Sequence, residues 1–376
     1  VGGVPLRLPS PLVELDDERI AQRDIRLFLK RDDLINPEIP GNKWRKLKYN
    51  ISAAKAAGAS TLLTFGGAYS NHIRATAAAG YYYGFQTIGV IRGEEHRSLN
   101  ESLTYATSRG MSLVYMDRTT YRQKTSPDVI GMLRERFGDF YLIPEGGSNS
   151  AAVRGCVELA DEIDIDFDFL CCACGTGGTL AGMSAGLKPD QRALGFSALK
   201  GGDFLADDVA QLQRDTFGEP LSNWSINTEF HFGGFARRTQ ELNEFIADFS
   251  RRHDVTLEWV YVARMMYGIY ALTDRRFFPR GFRGHSDCHR LTALLKRSLV
   301  SSFQVIGTLS ARGGSWFLPG QRPLATVDGE FTVESHPLPG HRLAHGVDHE
   351  LYGAVIDRAA VVASERGSLR PRACCH

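Results

Sequence analysis

Residues 167–183 read FDFLCCACGTGGTLAGM, and the reading of this stretch decides the fold. Phe167 to Cys172 has the apolar character of a buried strand. It runs into Cys174-Gly175-Thr176-Gly177-Gly178-Thr179, and a helix is expected to open near Leu180. Glycines let the backbone approach an anion closely, and a helix N-terminus adds N–H groups and positive dipole. A phosphate is the natural ligand of such a turn. No lysine follows in the G-K-[ST] arrangement of a Walker A loop. Nor does the turn open the first strand–helix–strand unit as a dinucleotide fingerprint would. A tight turn with no ligand is the other reading of these residues alone.

Outward from this stretch the same alternation recurs. Arg26 to Leu29 reads as a strand, Ile39-Pro40-Gly41-Asn42-Lys43 as a sharp turn, and Trp44 to Ala57 as a helix stopped by Gly58. Thr61 to Phe65 is a strand ending at Gly66-Gly67, followed by a helix from about Asn71 to Ala79 that stops at Gly80. Strands at Thr87–Ile91 and Ser112–Tyr115 flank a helix from Asn100 to Ser108. Phe140–Ile143, a helix from Cys156 to Glu162, a strand at 193–199 and a helix from Arg238 to Arg252 complete the pattern. Such alternation predicts an α/β protein with parallel sheets and helices on both faces.

Composition narrows the function classes. The chain has 376 residues, 43% apolar and 23% charged, with a net charge of +1. That is the make-up of a globular protein with a large core, and it carries no electrostatic footprint for nucleic acid. No apolar run reaches the roughly 20 residues of a membrane span. Residues 1–20 lack the basic and then apolar pattern of a signal peptide, and the chain begins at Val1 rather than Met. Seven cysteines, an odd number and clustered, suggest reduced thiols and a cytoplasmic protein rather than a disulfide framework. The run Cys171-Cys172-Ala173-Cys174 lacks a second Cys or His pair at zinc-like spacing, so no metal is expected there.

Two further turns bear on chemistry. Lys43 opens a helix, where a cation gains nothing from the dipole; alone, it reads as a solvated charge. Beside a phosphate loop it takes on a meaning, because pyridoxal 5'-phosphate requires both a Schiff-base lysine and a phosphate cradle. Gly66-Gly67-Ala68-Tyr69-Ser70-Asn71-His72 is a second strand-to-helix turn. Ser70 and Asn71 could hold a carboxylate or a ring oxygen there, or simply cap the helix. His72 reads as a structural histidine.

Taken in order, KRDDLINPEIPGNKWRKLKY (30–49), TFGGAYSNHIRATAAAG (64–80), IPEGGSNSAAVRGC (143–156), CGTGGTLAGM (174–183), LKGGDFLADD (199–208) and FHFGGFA (230–236) form a recognisable series. The series resembles the 1-aminocyclopropane-1-carboxylate deaminase/D-cysteine desulfhydrase family. These are fold-type II pyridoxal phosphate enzymes, more distantly related to tryptophan synthase β. The resemblance spans residues 4–281. It implies a two-domain α/β architecture, with a large domain of residues 1–49 and 156–281 and a small domain of 50–155. It also implies a small amino-acid substrate and a homodimer. By the same resemblance, Lys43 would carry the cofactor and later move the α-proton. Asn71 would bond the ring hydroxyl, and Ser70 would sit beside the substrate carboxylate. The backbone of Gly175, Thr176, Gly177, Gly178 and Thr179 would hold the phosphate. Tyr261, in WVYVARMMYG (259–268), matches the active-site tyrosine.

Departures from the family pattern sharpen the substrate expectation. Deaminases of the cyclopropane substrate carry a second tyrosine where this chain has Phe235, and a glutamate where it has Val262. Neither residue can do the same chemistry, which leaves D-cysteine desulfhydrase-like β-elimination ahead of cyclopropane deamination. The desulfhydrase branch reads Y-T-G-K-M-M-Y where this chain has Tyr261-Val262-Ala263-Arg264-Met265-Met266-Tyr267. A relative that binds pyridoxal phosphate with impaired catalysis is the third reading.

After Phe278-Pro279-Arg280-Gly281 the character changes. Residues 282–376 hold seven of the eleven histidines, ten arginines and a single lysine, Lys296. The family's His-Thr-Gly-Gly turn is not found. A reading-frame shift near codon 282, or a divergent segment, is expected, and with it a large-domain sheet that lacks its last strand and is left with an uncovered edge. His341, His345 and His349 have helical spacing, but Pro337, Pro339, Gly340 and Gly346 argue against a helix and so against a metal site.

Overall fold

The structure, a computed structural model, describes residues 4–39, 41–95, 98–235, 237–278, 298–300 and 304–308. The histidine-rich tail, and with it the reading-frame expectation, lies outside these residues apart from two short strands.

The chain begins with β1 (Leu12–Leu15), the single turn α1 (Glu18–Ala21) and β2 (Arg26–Lys30), then enters α2 (Asn42–Ala56). Next come β3 (Thr61–Gly66), α3 (Asn71–Tyr83), β4 (Gln86–Arg92), α4 (Glu101–Ser108) and β5 (Met111–Met116). Two helices, α5 (Arg118–Arg122) and α6 (Pro127–Phe137), lead to β6 (Tyr141–Ile143) and α7 (Ser150–Val157). They are followed by β7 (Phe169–Cys174), α8 (Gly178–Ala185), β8 (Arg192–Ser197), α9 (Leu205–Phe217) and β9 (Trp224–Asn227). The described chain closes with α10 (Gln240–His253), β10 (Val255–Leu257), α11 (Val262–Asp274), β11 (Ser298–Val300) and β12 (Gln304–Thr308).

A four-stranded sheet, ordered β5-β4-β3-β6, is parallel throughout. Every residue of β3 is buried, as a central parallel strand covered on both faces must be. The six-stranded sheet is ordered β1-β2-β12-β7-β8-β9. Its β7, β8 and β9 are parallel. Along β7 the side chains alternate between two cores. Cys171 packs with α10 and α11, whereas Leu170, Cys172 and Cys174 pack with the residues of α7, α8 and α9. The cysteine run is therefore strand interior, and Cys156, Cys171, Cys172 and Cys174 are free and buried.

The expected uncovered edge is not there. Strand β12 lies between β2 and β7 and pairs with both, Val305 opposite Leu29 on one side and Cys171 on the other. Two facing strand edges leave N–H and C=O groups that must be satisfied, and a strand from the tail satisfies them. It runs antiparallel to both neighbours, so Thr308 lies level with Arg26, at the end of the sheet away from Gly175.

Some helix limits also differ from the sequence expectation. The helix placed at Cys156–Glu162 begins at Ser150, because Asn149 caps it through a bond from the Ala152 N–H at 2.9 Å. It gives way to a 3-10 turn at Ala160–Glu162. The helix from Asn71 runs on past Gly80 to Tyr83 and ends at the left-handed Gly84. Gly80 serves a close approach instead: a Cβ there would lie 2.2 Å from the Thr87 side chain.

The helices α2, α7 and α8 position the site. A Cβ on Gly155 of α7 would fall 1.9 Å from the Arg45 carbonyl of α2, and one on Gly182 of α8 would fall 2.3 Å from the Val153 carbonyl of α7. Glycine at both contacts lets three backbones stack closely. Arg45 then fixes the base of α2 through Asp32 (2.7 and 2.8 Å) and Glu162 (2.8 Å to each oxygen), with Lys30 2.9 Å from Glu162. Arg45, Asp32 and Lys30 are buried, so this network is structural and intolerant of losing one member.

Candidate active site

The turn Gly175–Thr179 links β7 to the N-terminus of α8, as the sequence predicts. Gly177 has φ 70°, a backbone conformation that favours glycine. The first N–H groups of α8 are those that a helix leaves outside its own ladder. Around them stands a set of side chains drawn from three parts of the chain. Asn42 Nδ2 donates to Thr179 Oγ1 at 2.8 Å. Ser148 and Thr176 share a hydroxyl hydrogen bond of 2.6 Å. Lys46 Nζ donates to Ser148 Oγ at 2.8 Å, to the Gly146 carbonyl at 3.0 Å and to Thr176 Oγ1 at 3.4 Å.

Lys46, Asn42 and Ser148 were not singled out from the sequence. The spacing of Lys43 and Lys46 was the available signal, since residues i and i+3 share a helix face. Lys46 is buried and has no carboxylate partner among the described residues. Burial lowers its pKa. A buried ammonium with only neutral acceptors is costly unless an anion joins it. This orphan cation, two hydroxyls and a helix N-terminus are the donor set of a phosphate. Gly178 leaves the space open: a Cβ there would lie 2.8 Å from Ser148 Oγ and 3.2 Å from Lys46 Nζ.

Lys43 is half-buried at the second position of α2. Its amine has no hydrogen-bond partner among the described residues. Burial first, and then the Lys46 cation, bring its pKa down to about 7. A fraction of the amine is therefore unprotonated and nucleophilic near neutral pH.

Ser70 caps α3, its Oγ accepting from the His72 and Ile73 N–H groups at 3.2 and 3.4 Å. Asn71, the first residue of α3, is exposed and makes no side-chain hydrogen bond among the described residues. His72 is buried, with Nε2 2.8 Å from Thr64 Oγ1, and Thr64 donates on to the Ile143 carbonyl at 2.8 Å. Burial, then the Lys43 and Lys46 cations, hold His72 neutral, so it is a structural strut. Its ring lies against Gly147, the neighbour of the carbonyl that Lys46 binds. The first turn of α3 is thereby tied to the anion cradle.

Tyr261 precedes the first turn of α11. The Glu258 carboxylate accepts from the Val260 N–H at 2.6 Å and the Tyr261 N–H at 2.8 Å, which fixes the entry to the helix. The tyrosine ring lies on the glycine turn: a Cβ on Gly175 would come within 3.2 Å of its hydroxyl. Burial, then Glu258 and Glu145, push the phenol upward, so it stays protonated at neutral pH. Phe235 meets Tyr261 edge-on, ring centroids 5.7 Å apart at 65°.

Tyr261 and Lys46 thus both lie against the turn 175–179, Lys43 stands one helical turn from Lys46 on α2, and His72 sets the first turn of α3 against Gly147. An anion site to which α2 contributes Lys46, and an amine with a lowered pKa on the same helix, fit an aldehyde that carries a phosphate. No helix among the described residues is long and apolar enough to cross a membrane.

Comparison with known proteins agrees with this chemistry. The pattern of the family described as "Pyridoxal-phosphate dependent enzyme" matches residues 5–214. The chain is 32% identical to a bifunctional D-cysteine desulfhydrase/1-aminocyclopropane-1-carboxylate deaminase of Arabidopsis thaliana, over 77% of this chain and 76% of that one. It is 26% identical to a D-cysteine desulfhydrase of Yersinia pestis, over 68% of this chain and 83% of the relative. The crystal structure of an ACC deaminase homologue superposes with a TM-score of 0.63 at 26% identity, covering 73% of this chain and 87% of that one. The α/β fold is the one shared with these fold-type II enzymes, and the chain belongs to the pyridoxal-phosphate dependent enzyme family.

Proposed function

We propose that this enzyme is a D-cysteine desulfhydrase-like lyase, converting D-cysteine and water to pyruvate, ammonia and hydrogen sulfide. The observation that carries the choice is the wall formed by Phe235 against Tyr261, which offers one hydroxyl and not two. Pyridoxal phosphate, when bound, supplies the electron sink that makes an α C–H bond ionisable.

The chain's own residues supply the rest. Lys46, Ser148, Thr176 and the N-terminus of α8 would hold the phosphate. Lys43 is the residue that would carry the cofactor, and its amine would take the α-proton. Ser70 Oγ accepts two N–H bonds and keeps its own proton to give to a substrate carboxylate, which the α3 N-terminus also favours. Asn71 would bond the cofactor's ring hydroxyl. Tyr261, kept protonated, donates towards the departing sulfur as the C–S bond breaks.

Val262 is buried in the first turn of α11 and has no carboxylate of its own to offer a ring nitrogen, and this too weighs against cyclopropane deamination. Incubation with D-cysteine should release sulfide and pyruvate. Release of 2-oxobutanoate from the cyclopropane amino acid, with no sulfide from D-cysteine, would reverse the choice.

The direction of β12 favours a second reading, a cofactor-binding relative with impaired turnover, because its C-terminal end points away from the site. Retained cofactor with no product from either substrate would establish it. We also propose a cytoplasmic homodimer, supported by the family resemblance and by four unpaired buried thiols. The division into residues 1–49 with 156–281 and 50–155 is supported by the separation of the six-stranded from the four-stranded sheet, and the chain passes between them through α2 and α7.

A further inference from the structure

Arg264 lies in the first turn of α11, three residues after Tyr261, and is 1% exposed. A buried guanidinium normally meets a carboxylate. This one has no ion-pair partner among the described residues. Instead it donates to backbone carbonyls of three separate segments, with Nε reaching Trp259 O at 3.5 Å in the loop before α11. Nη1 reaches Ala198 O at 3.1 Å, His231 O at 2.6 Å and Gly234 O at 2.7 Å, and Nη2 reaches Arg237 O at 2.6 Å.

The segment so gathered is anchored before Gly233 by Phe232, whose ring meets Tyr267 edge-on with centroids 4.8 Å apart, and is otherwise held by short backbone bonds, among them Arg237 N–H to the Gly234 carbonyl at 3.2 Å. Gly233 N–H bonds the His231 ring at 3.0 Å and Gly234 N–H bonds the His231 carbonyl at 2.9 Å. Phe232, Gly233 and Gly234 all have positive φ, a backbone run that does not hold its shape by itself. Phe235 follows directly and supplies the ring that meets Tyr261.

We propose that Arg264 is a positioning residue: by gathering the carbonyls of Ala198, His231, Gly234 and Arg237 it sets the Phe235 ring against Tyr261 and so fixes the wall that selects the substrate. The inference rests on the reading of Phe235 and Tyr261 as site residues. A lysine at this position has one donor group in place of a planar fork, and cannot span the same acceptors. The guanidinium acts through the loop and touches no reacting atom.

Amide hydrogen exchange, cofactor retention and steady-state kinetics on holoenzyme test it, using Arg264→Met, Arg264→Lys, Phe235→Ala and the Arg264→Lys/Phe235→Ala pair. In Arg264→Met the Gly233, Gly234 and Arg237 amides should exchange at least about tenfold faster, while those of α8 and α9 keep their protection. Arg264→Lys should fall between. KM for D-cysteine should rise about tenfold in Arg264→Lys with a smaller change in kcat, pyridoxal phosphate being retained. Phe235→Ala should raise KM without loosening the loop, and the double variant should be no worse than Phe235→Ala alone.

Unchanged loop exchange in Arg264→Lys, or additive effects in the double variant, would overturn the proposal. If Arg264→Met does not fold, Arg264→Lys carries both measurements. If the wild-type enzyme does not turn over D-cysteine, the functional reading falls while the exchange comparison still decides the role of Arg264 in the loop.

Discussion

Lys46 and Ser148 stand 102 positions apart in the chain and meet at 2.8 Å beside the glycine turn. The contact joins α2 to the loop after β6, and both to the turn after β7. It explains how three distant segments form one anion site, and the neutral acceptors around the buried lysine leave its charge to be balanced by the anion.

Removing that cation should weaken cofactor binding rather than destroy the fold. Lys46→Met should lower pyridoxal phosphate affinity by roughly tenfold to a hundredfold, the worth of a charge-assisted hydrogen bond. Gly178→Ala should do the same by filling the cradle, since its Cβ would lie 2.8 Å from Ser148 Oγ. Equilibrium titration of cofactor-free protein, followed by absorbance, measures both.

Lys43 should behave as an amine of unusually low basicity. With its pKa near 7, below the ordinary 10.5, the neutral form dominates above pH 7. The rate of covalent capture of pyridoxal phosphate by cofactor-free protein should therefore rise with pH up to about 7 and then level off. An ordinary lysine would keep gaining until about pH 10. In Lys46→Met the plateau should begin at higher pH, because a neighbouring cation no longer opposes protonation. Stopped-flow absorbance across pH 5 to 10 reads the profile.

Tyr261→Phe should retain the cofactor and lose at least about a hundredfold in kcat for D-cysteine, as expected for removal of a positioned proton donor. Phe235→Tyr restores a hydroxyl but leaves Val262 in place. It should not create 2-oxobutanoate release from the cyclopropane amino acid. Product analysis by chromatography distinguishes these outcomes.

The acid limb of stability should depend on Glu162. Burial alone would raise its pKa, but hydrogen bonds and charge from Arg45, and then from Lys30, bring it down from 4.5 to about 2. A carboxyl lowered in the folded state stabilises above pH 4.5, and that contribution is lost as pH falls from 4.5 towards 2. The contribution amounts to about 3 kcal/mol. Glu162→Gln should be less stable at pH 7 and should show a flatter pH dependence between 5 and 2. Urea unfolding at several pH values checks this.

Much of this site was legible in the chain because its motifs are local. The glycine turn, the Ser70 cap and the Pro-Gly-Asn-Lys turn each declare themselves within a few residues. Lys46 did not, because the partners that give it meaning come from residues 146–148 and 176. Arg264 was visible only as a departure from a motif, since its acceptors are backbone carbonyls, which no side-chain pattern marks. Gly80 was misread as a helix stop because a glycine that serves packing looks the same as one that serves a turn. The place of β12 was illegible for a related reason: its pairing is dictated by the facing edges of β2 and β7 and not by any periodicity of its own.

The central claim is that Lys43 carries pyridoxal phosphate in the cradle built by Lys46, Ser148 and the turn 175–179. Borohydride reduction of the cofactor-loaded protein, followed by peptide mapping, tests it most directly. The account predicts a single pyridoxyl label on Lys43, lost in Lys43→Ala, and an absorbance band that shifts when D-cysteine is added before reduction. A label on another lysine, or none at all, would contradict it.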